Sequence, residues 1–371
     1  MNLELTDEQV ALRDTVRRFL ADKATVTGHV RPMLEDPTGT TELVWRGLAK
    51  LETTGLLVPQ EYSGAGMTMV EAGIVAEELG AALYPGPWLS TAVAATRALT
   101  RFRAEAEVLF TEIADGSTVA TVSPLGGARP AATGRGDGVV LRGEIDAMAD
   151  AAAADVLLVL AEDRDGAGLF AVETASSDVV VTRERGIDQT REQFRVTLDH
   201  APAQRLAGAP PEALGALVDD LLVANAADAL GAARTVLDLA VDYAKVRRQF
   251  GHPIGSFQAV QHLCVDMYET VELARSGVIH ALWAADAADA EERHLAAVRA
   301  RAFAGRLATV GDTAIQVFGG IGYSWEHDAH LYLKRLLSWN TFLGGPDRYL
   351  TEVGAQLAQS VAHKGQRSSS A

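Results

Sequence analysis

Three stretches of this chain combine residue types and spacings that could do chemistry. Tyr243–Gln258, YAKVRRQFGHPIGSFQ, sets Lys245, Arg247 and Arg248 beside Phe250, just ahead of Gly251 and Pro253. Guanidinium groups next to an aromatic ring can hold a pyrophosphate and stack a flat ring. The same cations would also complement the negative end of a helix dipole with no ligand at all. Gln316–Ser324, QVFGGIGYS, supplies Gly319, Gly320 and Gly322. Glycines let a backbone approach a ligand and expose its N–H groups, and Gln316 could hydrogen-bond an adenine or a phosphate. A turn between two helices would use the same glycines. Helix rather than strand precedes them, so this is not a dinucleotide-binding fingerprint. The third stretch, Trp339–Asp347, WNTFLGGPD, reads as a helix stopped by Gly344, Gly345 and Pro346.

Other chemistries are excluded or unsupported. There is no G-x-S-x-G, no P-loop and no H-E-x-x-H. His327 and His330 lie three apart in WEHDAHLYL without an evident third ligand, so solvated surface histidines and no metal are expected. A single cysteine, Cys264, rules out an intrachain disulfide and a Cys-based zinc site, and suits a reducing cytoplasm. The net charge of −16 argues against nucleic acid or an anionic membrane as the main partner. A local basic patch could still take phosphates. The longest apolar run, Ala151–Ala161, is too short to span a bilayer and contains Asp155. The N-terminal MNLELTDEQVALRD lacks the basic and apolar regions of a signal peptide. A soluble, cytoplasmic protein is expected.

The elements that must carry these stretches fall into three blocks. The first is helical: Thr6 and Gln9 can form a capping box, and Val10, Leu12, Val16, Phe19 and Leu20 recur near helical spacing. QEYSGAGMT is a glycine-rich loop, and the helix after it is expected to end at Gly80. From about Gly116 to Leu206, short apolar runs such as TVATVSP, GVVLRG, DVLLVLA and QFRVTLD alternate with Gly, Asp and Ser, which reads as strands. From Pro210 the pattern is helical again. Phe257, Val260, Cys264, Met267, Val271 and Ala274 form a narrow apolar stripe that suits a bundle or a subunit interface. The expected organisation is a helical domain over 1–113, a β domain over 114–209, a helical bundle over 210–363 and a disordered polar tail over 364–371.

Taken in order, four segments resemble the acyl-CoA dehydrogenase family: LTDEQVALRDTVRRFL, GLLVPQEYSGAGMTMVEAGIVAEELG, YAKVRRQFGHPIGSFQAVQHLCVDM and AIQVFGGIGYSWEHDAHLYLKR. The match runs from about Leu5 to about Leu357, and the R-x-Q-F-G and Q-x-x-G-G-x-G elements at this separation are highly specific. The resemblance implies a mainly α fold with a central β domain: an N-terminal helical domain, a middle β-barrel-like domain and a C-terminal four-helix bundle. It also implies an FAD flavoprotein tetramer in which subunits share cofactor sites. Residues like Arg247, Phe250 and Gln258 would reach a neighbouring subunit's FAD, and residues like Gln316, Gly319 and Gly320 its adenosine and pyrophosphate. The implied reaction is α,β-dehydrogenation of an acyl-CoA, with electrons passed to an electron-transfer flavoprotein or a similar acceptor. A carboxylate takes the α proton while the thioester carbonyl is polarised to acidify it.

The chain departs from the family where the chemistry is done. The usual base, in a late Glu-Gly pair, aligns with Leu343, Gly344 and Gly345. A second family solution places a glutamate ten residues before the glycine matched by Gly231; that position is Leu221, and the arginine that usually follows is Leu222. Asp219 and Asp220 are close, but one residue along a helix turns a side chain by about 100°. Asp220 is the remaining candidate for a displaced base there. The Glu-Pro pair near the flavin is Ser123-Pro124, and the aromatic and threonine that cover the flavin ring fall at Ala147, Met148 and Ala149. The chain thus keeps what it would lend to a neighbour and lacks much of what would hold its own flavin. This resembles base-lacking subunits of actinobacterial α2β2 acyl-CoA dehydrogenases acting on steroid side-chain thioesters. A self-sufficient homotetramer using Asp220 or Asp347, and a non-enzymatic acyl-CoA-binding or assembly relative, are the alternatives.

Overall fold

In a computed structural model of the chain, residues 4–134 and 138–368 are described. The N-terminal helices are α1 (Asp7–Lys23), α2 (Arg31–Met33), α3 (Glu42–Lys50), α4 (Met69–Ala81), α5 (Thr96–Arg101) and α6 (Glu107–Ala114). The capping box at α1 forms: the Gln9 amide donates to the Thr6 hydroxyl at 3.3 Å, and the Gln9 side chain accepts from the Thr6 amide at 3.0 Å. Thr68 and Glu71 repeat the device at α4. Gly80 lies one residue inside α4 rather than ending it. Its reason is close approach, because a Cβ there would overlap the carbonyl of Asp228, and one on Gly231 would overlap that of Glu77. These two glycines let α4 cross α7 almost backbone to backbone.

The strands are β1 (Ala120–Val122), β2 (Ala131–Thr133), β3 (Val139–Ala149), β4 (Val156–Asp163), β5 (Gly166–Glu173), β6 (Val179–Glu184) and β7 (Gln193–Gly208). Pairing runs β4–β2–β3–β7–β5 and returns to β4, closing a barrel, with β1 added on β4 and β6 on β7. Leu141, Met148, Leu157, Val159, Phe170, Phe194 and Val196 fill its interior.

The C-terminal block comprises α7 (Pro211–Val246), a hairpin of β8 (Arg248–Gln249) and β9 (His252–Pro253), then α8 (Gln258–Ala287), α9 (Ala290–Ala304), α10 (Leu307–Phe318), α11 (Ala329–Thr341) and α12 (Pro346–Ser368). The architecture is therefore mainly helical with a central β region. The apolar stripe on α8 is buried at Met267, Val271 and Ala274, whereas Phe257 at its start is exposed. α12 runs past His363 into the expected tail, where Lys, Gln and Arg are adequate helix formers. Residues 369–371 of that tail lie outside the described residues.

One buried polar network ties the three blocks together. Arg335 on α11 donates to Asp228 on α7 at 3.0 and 2.9 Å, to the Thr190 hydroxyl before β7 at 2.9 Å and to the Tyr84 carbonyl at 3.1 Å. Arg191 joins it through Asp228 at 2.6 Å. Buried charges are tolerated here because each is paired and hydrogen-bonded.

Candidate cofactor and base sites

The residues singled out as cofactor contacts gather at one end of the helical bundle. α7 stops at Arg247, and the following hairpin turns through Phe250 at φ +51° and Gly251 at φ +81°. Phe250 is 90% exposed and meets Phe257 edge-on at 6.2 Å. Arg247, Arg248 and Gln258 are exposed too, and among the described residues Arg247 forms no ion pair. Gly319 ends α10 at φ +65°, ψ −144°, a conformation open essentially to glycine alone. Gln316, Gly319 and Gly320 are exposed. Tyr243 in the last turn of α7 packs against Phe318 in the last turn of α10, with centroids 5.1 Å apart, so both groups share this end. Exposed guanidinium groups, an exposed aromatic ring, amide side chains and glycine backbone without side-chain cover suit the pyrophosphate and adenosine part of FAD.

The positions expected to cover a flavin ring do not suit it. Met148 points into the barrel core and is fully buried. Ala147 and Ala149 bring neither a ring nor a hydroxyl; the Ala149 carbonyl accepts from Thr121 at 2.7 Å. The Ser123 hydroxyl is buried and accepts from the Leu160 amide at 2.9 Å. These groups are spent on the barrel itself.

The late base position, Leu343, and the arginine position, Leu222, meet in an apolar cluster, whereas the second base position, Leu221, lies outside it. Leu222 is 1% exposed beside Val298, Ala302 and Tyr349, with Leu343 packed against the group. Leu221 points elsewhere, toward the contact of the barrel with the N-terminal helices. Asp220 is fully buried and held by Arg101 at 2.8 and 2.9 Å, with Arg97 at 3.4 Å; Arg97 also pairs with Asp286 at the end of α8. Burial pushes its carboxyl up, against the pull of Arg97 and Arg101. Both carboxylate oxygens are thus engaged by Arg101, and the side chain is fully buried away from solvent. Asp219 faces the other way, as the helical turn requires. It contacts His294 on α9 at 2.8 Å, and the second ring nitrogen of His294 meets Glu352 on α12 at 2.8 Å. The hydrogen bond to Asp219 leads in raising the His294 pKa to about 9. Asp347 is exposed on the first turn of α12.

Two features depart from the sequence reading or escape it. His330 is buried rather than solvated, lies edge-on to Trp325 at 4.6 Å, and is pushed down to about 4 by burial. His327 is partly buried, and its Nδ1 accepts from the Ala329 amide at the start of α11. Arg301, unnoticed in the run AAVRARAFA, is fully buried under the loop that carries Leu343. Its only signal is a charge in an otherwise small, apolar helix face. A cleft of about 1400 Å³ lies between α5, α6 and the barrel, lined by Tyr62, Leu99, Phe110, Val156 and Leu206.

The acyl-CoA dehydrogenase N-terminal domain family matches residues 6–106, and the acyl-CoA dehydrogenase C-terminal domain family matches residues 223–358. The chain is 38% identical over 370 residues to the acyl-CoA dehydrogenase FadE34 of Mycobacterium tuberculosis, covering 97% of this chain and 49% of FadE34. It therefore spans about half the length of that relative. Among solved structures, a variant of the Tcur3481–Tcur3483 steroid ACAD superposes with a TM-score of 0.85 at 29% identity, covering 96% of this chain and 99% of that one. The ChsE4–ChsE5 complex from Mycobacterium tuberculosis gives a TM-score of 0.86 at 27% identity, covering 96% and 99%.

Proposed function

Because the chain belongs to the acyl-CoA dehydrogenase family of oxidoreductases, we propose that it works as one subunit of a heteromeric acyl-CoA dehydrogenase, lending part of the FAD site to a sister chain that carries the base. The observation that carries this reading is that the two positions of the usual base are leucines packed into apolar clusters, Leu343 in one and Leu221 in another, while Arg247 and Phe250 stand on the surface. A leucine cannot take the α proton, so a carboxylate from another chain must do so. Arg247 and Arg248 would neutralise the pyrophosphate, and Phe250 would stack on the ring system. Gln258 and Gln316 would supply amide hydrogen bonds, and Gly319 and Gly320 would let the backbone approach the ligand closely. FAD, when bound, supplies the acceptor for the hydride that leaves the β carbon.

Several comparisons support the same reading. Two structural relatives are assemblies named for two proteins, and FadE34 has room for a second unit of this chain's size. The steroid designation of one relative favours a steroid side-chain CoA thioester as substrate. An electron-transfer flavoprotein or similar carrier would take the electrons, in a tetramer in the cytoplasm. Among the described residues no helix is long and apolar enough to cross a membrane. What weighs against a self-sufficient enzyme using Asp220 is its double arginine clamp. The test is co-expression with a co-encoded homologue and comparison of wild-type chain with Arg247→Ala. Loss of flavin from the assembly, with the partner still bound, supports the proposal. Undiminished flavin refutes it.

A further inference from the structure

The loop after α11 is held by a side chain remote from it in sequence. Arg301 on α9 is fully buried, and its Nη2 donates to the carbonyls of Asn340, Phe342 and Gly344 at 3.0, 3.3 and 2.7 Å. Its guanidinium stacks over Trp339 at 4.1 Å and lies 5.7 Å from the ring of Tyr349. Tyr349 in turn donates its hydroxyl to the Leu343 carbonyl at 2.6 Å. The carbonyls of residues 342, 343 and 344 are thus all bound, none of them by continuation of the helix.

This matters because the loop is strained. Leu343 sits at φ +50° and Gly344 at φ +102°. A bulky residue in the left-handed region is an outlier, and such strain persists only where the surroundings over-determine it. The arrangement is also costly to the arginine: its Nε and Nη1 are buried with no hydrogen-bond partner, and burial pulls its pKa down to about 10. A lysine could offer only a point charge, without the planar stack and the fixed fork.

We propose that Arg301 is a positioning residue that holds Phe342–Gly345 in a single backbone shape. The wall of the site that resembles the family's base-carrying loop then keeps its form with Leu343 in place of a carboxylate. The location of that wall rests on the family reading; the clamp does not.

The test is hydrogen–deuterium exchange on the intact chain, comparing wild type, Arg301→Lys, Leu343→Gly and the double variant. The reporters are the amides of Gly344 and Arg348, which bond the carbonyls of Thr341 and Gly345 at 3.2 Å each. Arg301→Lys should speed exchange across residues 341–348 about tenfold while peptides from α8 and α10 stay unchanged. Adding Leu343→Gly should restore protection to within about threefold of wild type, because glycine accepts φ +50° without strain. Should Arg301→Lys not fold, Tyr349→Phe, which removes only the bond to the Leu343 carbonyl, should still speed the loop about threefold. An equal rise over all of α9, α11 and α12, or a double variant with no rescue, overturns the proposal in favour of plain packing. Exchange is read on this chain alone, so its failure leaves the assembly proposal standing, and a failed assembly leaves the clamp standing.

Discussion

Replacing His294 with glutamine should destabilise the chain in a way that depends on pH. The imidazole sits between Asp219 on α7 and Glu352 on α12, with Arg293 of its own helix α9 also 3.6 Å from Asp219, so it latches three helices. Its pKa is raised from 6.5 to about 9, the hydrogen bond to Asp219 being the largest cause. A raised histidine pKa stabilises the fold fully below the unfolded value, and that contribution fades as pH climbs through the folded value. The full difference would be worth roughly 3 kcal/mol. With the ring 42% exposed, solvent screening reduces this to about 1–2 kcal/mol. Urea unfolding followed by tryptophan fluorescence should therefore show His294→Gln less stable than wild type by about 1–2 kcal/mol at pH 6, with the gap closing by pH 10. A gap of the same size at both pH values would show that packing, not the charged latch, accounts for the loss. A gap that widens toward pH 10 would refute the sign of the argument.

Other substitutions separate structural from functional roles. Gly231→Ala should be among the most damaging single changes, costing about 4 kcal/mol or more, because the new methyl meets the Glu77 carbonyl where α4 crosses α7; thermal melting or loss of soluble protein reads it. Asp220→Asn should destabilise by about 3–5 kcal/mol through loss of the partner of Arg97 and Arg101. A well-folded Asp220→Asn chain that lost only turnover would instead identify Asp220 as a base. Phe250→Ala should leave stability within about 0.5 kcal/mol, as its ring is 90% exposed, yet lower flavin retention in the assembly, measured by absorbance after gel filtration.

Local chemistry was the legible part of this chain. The capping box at Thr6 needs only residues three apart, and the change from helical to alternating periodicity near Gly116 needs only a short window. The end of α7 near Arg247 could be read from Gly251 and Pro253 for the same reason. What escaped were interactions that join distant segments. Gly80 resembles a helix stop until Asp228 is brought against it. His294 becomes a latch only when α7 and α12 flank it. Asp220 passes for a displaced base in sequence, because nothing local reveals that Arg97 and Arg101 lie across from it. Arg301 is hidden most completely, since its partners are backbone carbonyls and leave no pattern in side-chain types.

The most direct test of the central claim is the visible spectrum of the purified chain, alone and after assembly with its co-encoded homologue. The chain alone should be colourless or poor in FAD. The assembly should show flavin absorbance near one FAD per pair of chains, bleached on addition of a suitable acyl-CoA. A yellow chain that binds stoichiometric FAD and turns over acyl-CoA without any partner would contradict the account.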